Sequence, residues 1–208
     1  MPVPVWTAIG PGTFPRHGPN ATRTNGGART SNPSTGRGVT LRGGTTPRRT
    51  TMNAIELLKH DHETLKQVFE RLGKTTERGV KTRGELMRHL HEELTIHTRL
   101  EEEIFYPAFK AASGKEGDIL FHEATEEHRA VEALILPDLE KTEPSSVEFA
   151  GRAKVLKDMV GHHIEEEEQE MLPKAGELLG EERLEELGAQ METRRKELRR
   201  QLSGERAA

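Results

Sequence analysis

Two stretches of this chain, HTRLEEEIFYP (residues 97–107) and HIEEEEQEMLP (residues 163–173), match in spacing from histidine to glutamate to proline. The offset between them is 66 residues, and it holds beyond the two stretches. It carries Leu90 onto Leu156, Leu94 onto Val160, Phe105 onto Met171 and His62 onto His128. The separations His62 to His97 and His128 to His163 are both 35 residues. The chain therefore repeats a pair of helical segments, and any fold has to satisfy both copies at once.

The apolar residues recur at steps of three and four from Asn53 onward, which is the period of an amphipathic helix. Asn53 followed by Glu56 reads as a capping pair. Ile55, Leu58, His62, Leu65, Phe69 and Leu72 then fall in line, and Gly73 closes the first helix. A second helix is expected from about Lys81 to Ala111, with Leu86, Leu90, Leu94, His97, Glu101, Ile104 and Phe105 on one stripe and Ser113-Gly114 as its end. A third spans about Glu116 to Lys141 through Phe121, His128, Val131, Ile135 and Leu139, with Pro137 expected to kink or shorten it. A fourth, capped by Ser146, runs from about Val147 to Leu172 through Phe149, Leu156, Val160, His163, Glu167 and Met171. A fifth segment, about Glu181 to Leu202, carries Leu184, Leu187, Met191, Leu198 and Leu202. No strand pattern appears, and short loops make consecutive helices antiparallel neighbours. The expected fold is all-α: an up-down-up-down four-helix bundle with an extra C-terminal helix.

Composition divides the chain. Residues 1–50 hold seven arginines, no lysine and no acid, together with nine of the 20 glycines and seven of the 11 prolines. The whole chain carries −4, so the rest carries −4 − 7 = −11. A segment so poor in apolar side chains cannot offset its ordering entropy, so residues 1–51 read as a disordered extension. Residues 52–175 form the bundle, and 176–208 an amphipathic helix that packs on it or serves self-association as a homodimer. The extension also has features of a transit peptide or a weak polyanion-binding tail, although Met52 directly before the first periodic segment favours a dispensable leader. The acidic remainder argues against nucleic acid as a partner. No apolar run reaches the roughly 18 residues of a membrane span. Cysteine is absent, which removes thiolate metal sites and fits a cytoplasmic protein.

Residues at i and i+4 share a helix face. His97 with Glu101, and His163 with Glu167, therefore each present one imidazole and one carboxylate to one point. Both pairs lie on stripes that leucine and valine make apolar. His62 and His128 interrupt the apolar stripes of their own helices. Burying four imidazoles and two carboxylates without partners would cost several kcal/mol each. A pair of cations removes that penalty. Four imidazoles supply four donors and two bridging carboxylates four more, which suits two octahedral ions joined by an oxo or hydroxo bridge, with a position left for a small ligand. Mixed imidazole and carboxylate donors favour iron, and manganese or zinc also fit them. A single core histidine is usually a hydrogen-bonded packing residue; six residues at matched spacings in two copies are not. The other acids of the runs Glu101–Glu103 and Glu165–Glu168 read as solvated surface, and His60, His89 and His122 as surface or packing residues. Glu93 and Glu132, each one turn from a ligand, are candidates to fill or hydrogen-bond an open position, and His162 to support the site from outside.

At LLKHDHETL, HTRLEEEIFYP, EEHRAVEAL and HHIEEEEQEMLP the chain resembles the hemerythrin-like family, the HHE cation-binding bundles. The resemblance implies a four-helix bundle with a non-haem di-iron centre. By position, His62 and His97 would hold one iron, His128 and His163 the other, and Glu101 and Glu167 would bridge them. Oxygen carriers of the family usually have a fifth histidine where this chain has Glu132, which counts against simple reversible oxygen carriage. The implied function is to bind or sense dioxygen, nitric oxide or iron and redox state. A peroxide-decomposing di-iron enzyme and a metal-free helical interaction module are the alternatives.

Overall fold

In the computed structural model, residues 52–205 are described. The arginine-rich extension expected to be disordered lies outside the described residues. Helix α1 (Ala54–Gly73) starts where the sequence puts its cap: the Asn53 side chain accepts the Glu56 N–H at 2.9 Å, and the Glu56 carboxylate accepts the Asn53 N–H at 3.0 Å. Helix α2 (Val80–Leu100) follows. Beyond it come α3 (Tyr106–Ala130), α4 (Leu136–Glu140), α5 (Val147–Glu166) and α6 (Leu172–Glu205). Ser146 caps α5, its hydroxyl accepting the Phe149 N–H at 3.0 Å.

Three of the junctions are π-turns rather than loops: Glu101–Phe105, Val131–Ile135 and Glu167–Met171. Each ends two residues before a proline, Pro107, Pro137 and Pro173. In each, the residue before the proline gives its N–H to the carbonyl five positions back: Tyr106 to Glu101, Leu136 to Val131, Leu172 to Glu167. A proline has no N–H and crowds the carbonyl of residue i−4. Widening one turn relieves that crowding and lets the helix continue instead of breaking. Pro137 therefore does not stop its helix, which runs on to Glu140, and the fourth helix does not end near Leu172 as its periodicity predicts. It continues to a break at Gly180 (φ 71°), matching one at Gly114 (φ 61°). Both conformations belong to glycine.

The chain thus runs as helical rods over residues 54–73, 80–113, 115–140, 147–179 and 181–205. Cross-links between successive rods run in opposite senses. Arg83 donates to Thr75 Oγ1 near one end, and His97 faces Asp61 further along. Rods three and four pair His128 with His163 and Asp138 with Arg152. Rod four returns beside rod one, with Glu168 against His62. This is the up-down-up-down bundle. Each π-turn shifts the inward face by one residue, so burial passes from Leu94, His97 and Glu101 to Phe105, Tyr106 and Phe109, leaving Ile104 only half-buried.

The core has two apolar clusters. One, at the far end, gathers Leu65, Phe69, Leu86, Leu90, Leu139, Phe149 and Leu156. The other gathers Leu57, Leu58, Leu100, Phe105, Tyr106, Phe109 and Met171 with Leu184, Leu187, Met191 and Leu198 of the last rod. The apolar face of that rod is thus covered by its own bundle, each buried leucine contributing about 1.5–3 kcal/mol. Contact is closest at Gly188, where a Cβ would lie 2.4 Å from the Met52 carbonyl oxygen. Among the described residues, no helix is long and apolar enough to cross a membrane.

Candidate metal centre

Between the two clusters, the sequence-predicted residues His62, His97, Glu101, His128, His163 and Glu167 are all buried. Every imidazole turns Nε2 inward. His62 Nε2 lies 3.2 Å from Glu167 Oε2, and His97 Nε2 lies 3.3 Å from Glu101 Oε2. His128 Nε2 is also 3.3 Å from Glu101 Oε2, and His163 Nε2 is 3.7 Å from Glu167 Oε2. The rings pair as the repeat pairs the helices: His62 and His97 centroids are 4.9 Å apart, His128 and His163 4.6 Å. His62, His97, Glu101 and Glu167 offer donor atoms within 4.8 Å of one another, and Glu101, His128 and His163 form a second such group. Glu101 belongs to both.

Nδ1 of every ring points outward to a carboxylate. His62 meets Glu168 at 3.0 Å, His128 meets Glu102 at 3.1 Å, His163 meets Glu127 at 2.8 Å, and His97 faces Asp61 at 3.7 Å. The three hydrogen-bonded partners fix the proton on Nδ1 of His62, His128 and His163 and leave the Nε2 lone pair for a cation, while Asp61 stands beyond hydrogen-bond reach of His97. Periodicity did not single out these four acids, and Glu102 and Glu168 are not the solvated surface that their acid runs suggest. The repeat itself held the signal, because an offset of 66 carries Asp61 onto Glu127 and Glu102 onto Glu168. Tyr106 has no such signal, since its counterpart is Leu172. It is fully buried, stacks on His128 with centroids 5.6 Å apart, and donates its hydroxyl to Glu167 Oε1 at 2.8 Å.

The candidates for outer support stand elsewhere. Glu93 ion-pairs with Arg199 at 3.6 Å. Glu132 accepts the Thr98 hydroxyl at 2.7 Å. His162 is exposed and lies 3.2 Å from Glu166.

Burial and neighbouring charge set the protonation of the cluster. Burial pushes His97 down to about 4, keeping it neutral. Burial also works against charge on His62 and His163, but Glu167 and the other nearby carboxylates raise both above the usual imidazole range. Burial raises the Glu101 carboxyl well up, and the Glu167 carboxylate beside it pushes the same way. Burial opposes ionisation of Glu167 too, yet His163 and His62 hold it below the usual range. Burial and two carboxylates keep the Tyr106 phenol protonated, as a donor.

Six buried ring and carboxylate atoms have no hydrogen-bond partner: His62 Nε2, His97 Nδ1 and Nε2, Glu101 Oε1 and Oε2, and Glu167 Oε2. Each orphan costs about 1–3 kcal/mol. All but the outward-facing His97 Nδ1 cluster around one point, which is what a cation would relieve, so the donor set fits metal.

Comparison with known proteins agrees. A crystal structure from Mycobacterium kansasii, described as a Hemerythrin HHE cation binding domain-containing protein and Rv2633c homolog, is similar with a TM-score of 0.62 and 32% identity, over 71% of this chain and 87% of that one. The Mycobacterium tuberculosis protein Rv2633c, described as uncharacterized, is 29% identical over 149 residues, 71% of this chain and 88% of the relative. A DNA nickase from Nostoc sp. is 26% identical over 156 residues, 74% of this chain but 42% of that protein, so the chain spans less than half of its length. Residues 53–175 match the Hemerythrin HHE cation binding domain, and they include all the residues that converge on the buried cluster. The chain belongs to the hemerythrin HHE cation-binding family.

Proposed function

We propose that this chain holds two non-haem iron ions on His62, His97, Glu101, His128, His163 and Glu167, and that the pair binds a small molecule such as dioxygen or nitric oxide as a sensor. The observation that carries this reading is the ring of inward Nε2 atoms and orphaned carboxylate oxygens. Beside it lies a cavity of about 20 Å³, lined by Leu94, Thr98, Val131 and Val160, by Glu127 and by His97, His128 and His163. That space suits a ligand of one or two heavy atoms. Iron there would supply redox change and a coordination position. The protein does the rest. Glu168, Glu102 and Glu127 set the tautomers of His62, His128 and His163, Tyr106 pins Glu167, and the leucine and valines make one wall of the cavity apolar. Thr98 ties Glu132 at the place where oxygen carriers of the family have a fifth histidine, which favours sensing over carriage.

Tyr106 also favours a second reading. Its hydroxyl, buried within the site and donating to Glu167, would orient that carboxylate for peroxide decomposition by hydrogen bonding, while its raised pKa makes it a poor source of protons. A metal-free helical module is disfavoured, since it leaves the orphaned donors unexplained and its sticky face is buried. The net −11 beyond the extension disfavours nucleic acid as the main partner.

Titration of the reduced, iron-loaded chain with nitric oxide, followed optically, tests the main reading. A saturable change at one ligand per iron pair supports it. No optical change, combined with oxygen release from peroxide, favours the enzyme.

A further inference from the structure

The two halves of the site differ in how the outer imidazole nitrogen is held. Glu127 takes a hydrogen bond from His163 at 2.8 Å and is a quarter exposed. Its counterpart Asp61 is buried and gripped on both oxygens by Arg195, Nη1 to Oδ1 at 2.8 Å and Nη2 to Oδ2 at 2.5 Å. The oxygen that faces His97, Oδ2, is the one Arg195 Nη2 holds, and it stands 3.7 Å from Nδ1. Among the described residues, no lysine or arginine grips Glu127 in this way. Arg195 lies beyond residue 175, where the matched domain ends. It is delivered by the rod whose Leu187, Met191 and Leu198 pack on the bundle.

A carboxylate that accepts Nδ1–H makes the imidazole a better metal donor, and outer partners of this kind are worth about 10–100-fold in metal affinity. His163 has that support as a hydrogen bond of 2.8 Å, and His97 only as an approach of 3.7 Å. We propose that Arg195 is a positioning residue for the metal centre: by clamping Asp61 it holds that carboxylate back from His97, so that the metal position of His62 and His97 is the weaker of the two. This rests on the two-iron reading above. It gives the last rod a task in the site besides covering the core.

The test uses the full chain loaded anaerobically with ferrous iron and mixed with excess ferrous chelator, with release followed by absorbance. Wild type is expected to lose its irons in two equal phases about tenfold apart in rate. In Arg195→Gln the freed Asp61 turns to His97, so the fast phase slows towards the slow one even where the melting temperature falls. A structural role alone predicts the opposite, faster release of both irons. Glu127→Gln should accelerate the slow phase. Arg194→Gln, which removes the neighbouring ion pair to Glu103, should leave the ratio of rates unchanged. Arg195→Lys keeps a cation without the fork, and it should give an intermediate ratio should the glutamine variant fail to fold. A single phase in wild type with two irons bound, or a fast phase that Arg195→Gln and Arg195→Lys leave unchanged or speed up, overturns this inference alone. Fewer than two irons bound to wild type overturns the two-iron reading with it.

Discussion

The half of the bundle built around His62 and His97 and the half built around His128 and His163 present the same inner surface and different outer ones. Histidine matches histidine and Glu101 matches Glu167 at an offset of 66. One shell out, the match decays. Tyr106 answers to Leu172, Thr98 to Ile164, and Glu132 to Lys66. Asp61 answers to Glu127, but only Asp61 meets an arginine of the last rod. Inner residues must converge on one point, so both copies are held to one geometry. Outer residues need only suit their own neighbours, and there the halves become chemically distinct.

The largest expected effect treats the halves alike. His97→Ala and His163→Ala should each reduce bound iron from two per chain to one or none by metal analysis. Full chelation should lower the melting temperature. A ligand at a hundredfold its dissociation constant stabilises by about 2.7 kcal/mol, or roughly 5–10 °C for a domain of this size. If only one of the two alanine variants loses iron, the halves are not equivalent at the ligand level.

Acid should act next, and on both halves. His62 and His163, one from each ring pair, hold their protons to higher pH than an ordinary imidazole. Metal needs them neutral, so protons compete more effectively as pH falls. Iron should be retained at neutral to alkaline pH, with release beginning above the usual imidazole value of about 6.5. Metal content after dialysis across that range reads this directly.

Tyr106→Phe breaks the comparison where the halves are least alike. It leaves Glu167 Oε1 short of a donor and should cost about 1–3 kcal/mol in denaturant unfolding. The smallest effect falls outside the site altogether. Asn53→Ala removes the cap of α1 and should cost about 1 kcal/mol with iron content unchanged.

Much of this was legible from spacing. Steps of three and four placed the helices, and the i, i+4 relation put His97 with Glu101 and His163 with Glu167 on inward faces, because a regular helix fixes those directions. The π-turns leave no trace in the periodicity, although prolines at 107, 137 and 173 mark all three. A proline inside a periodic segment suggests a stop, and only packing on both sides keeps the helix going. Tyr106 and Arg195 were out of reach for another reason. Each acts across helices, Tyr106 on Glu167 and Arg195 on Asp61, and periodicity along one helix says nothing about what a neighbour 61 or 134 residues away supplies. Glu102 and Glu168 looked like members of solvated acid runs because their histidines stand on other rods.

Metal analysis of the full chain purified without air, together with its optical spectrum, tests the central claim most directly. The account predicts two irons per chain, and one or none in the His97→Ala variant. A wild-type chain that folds and melts identically with and without chelator, and carries no metal, would contradict it.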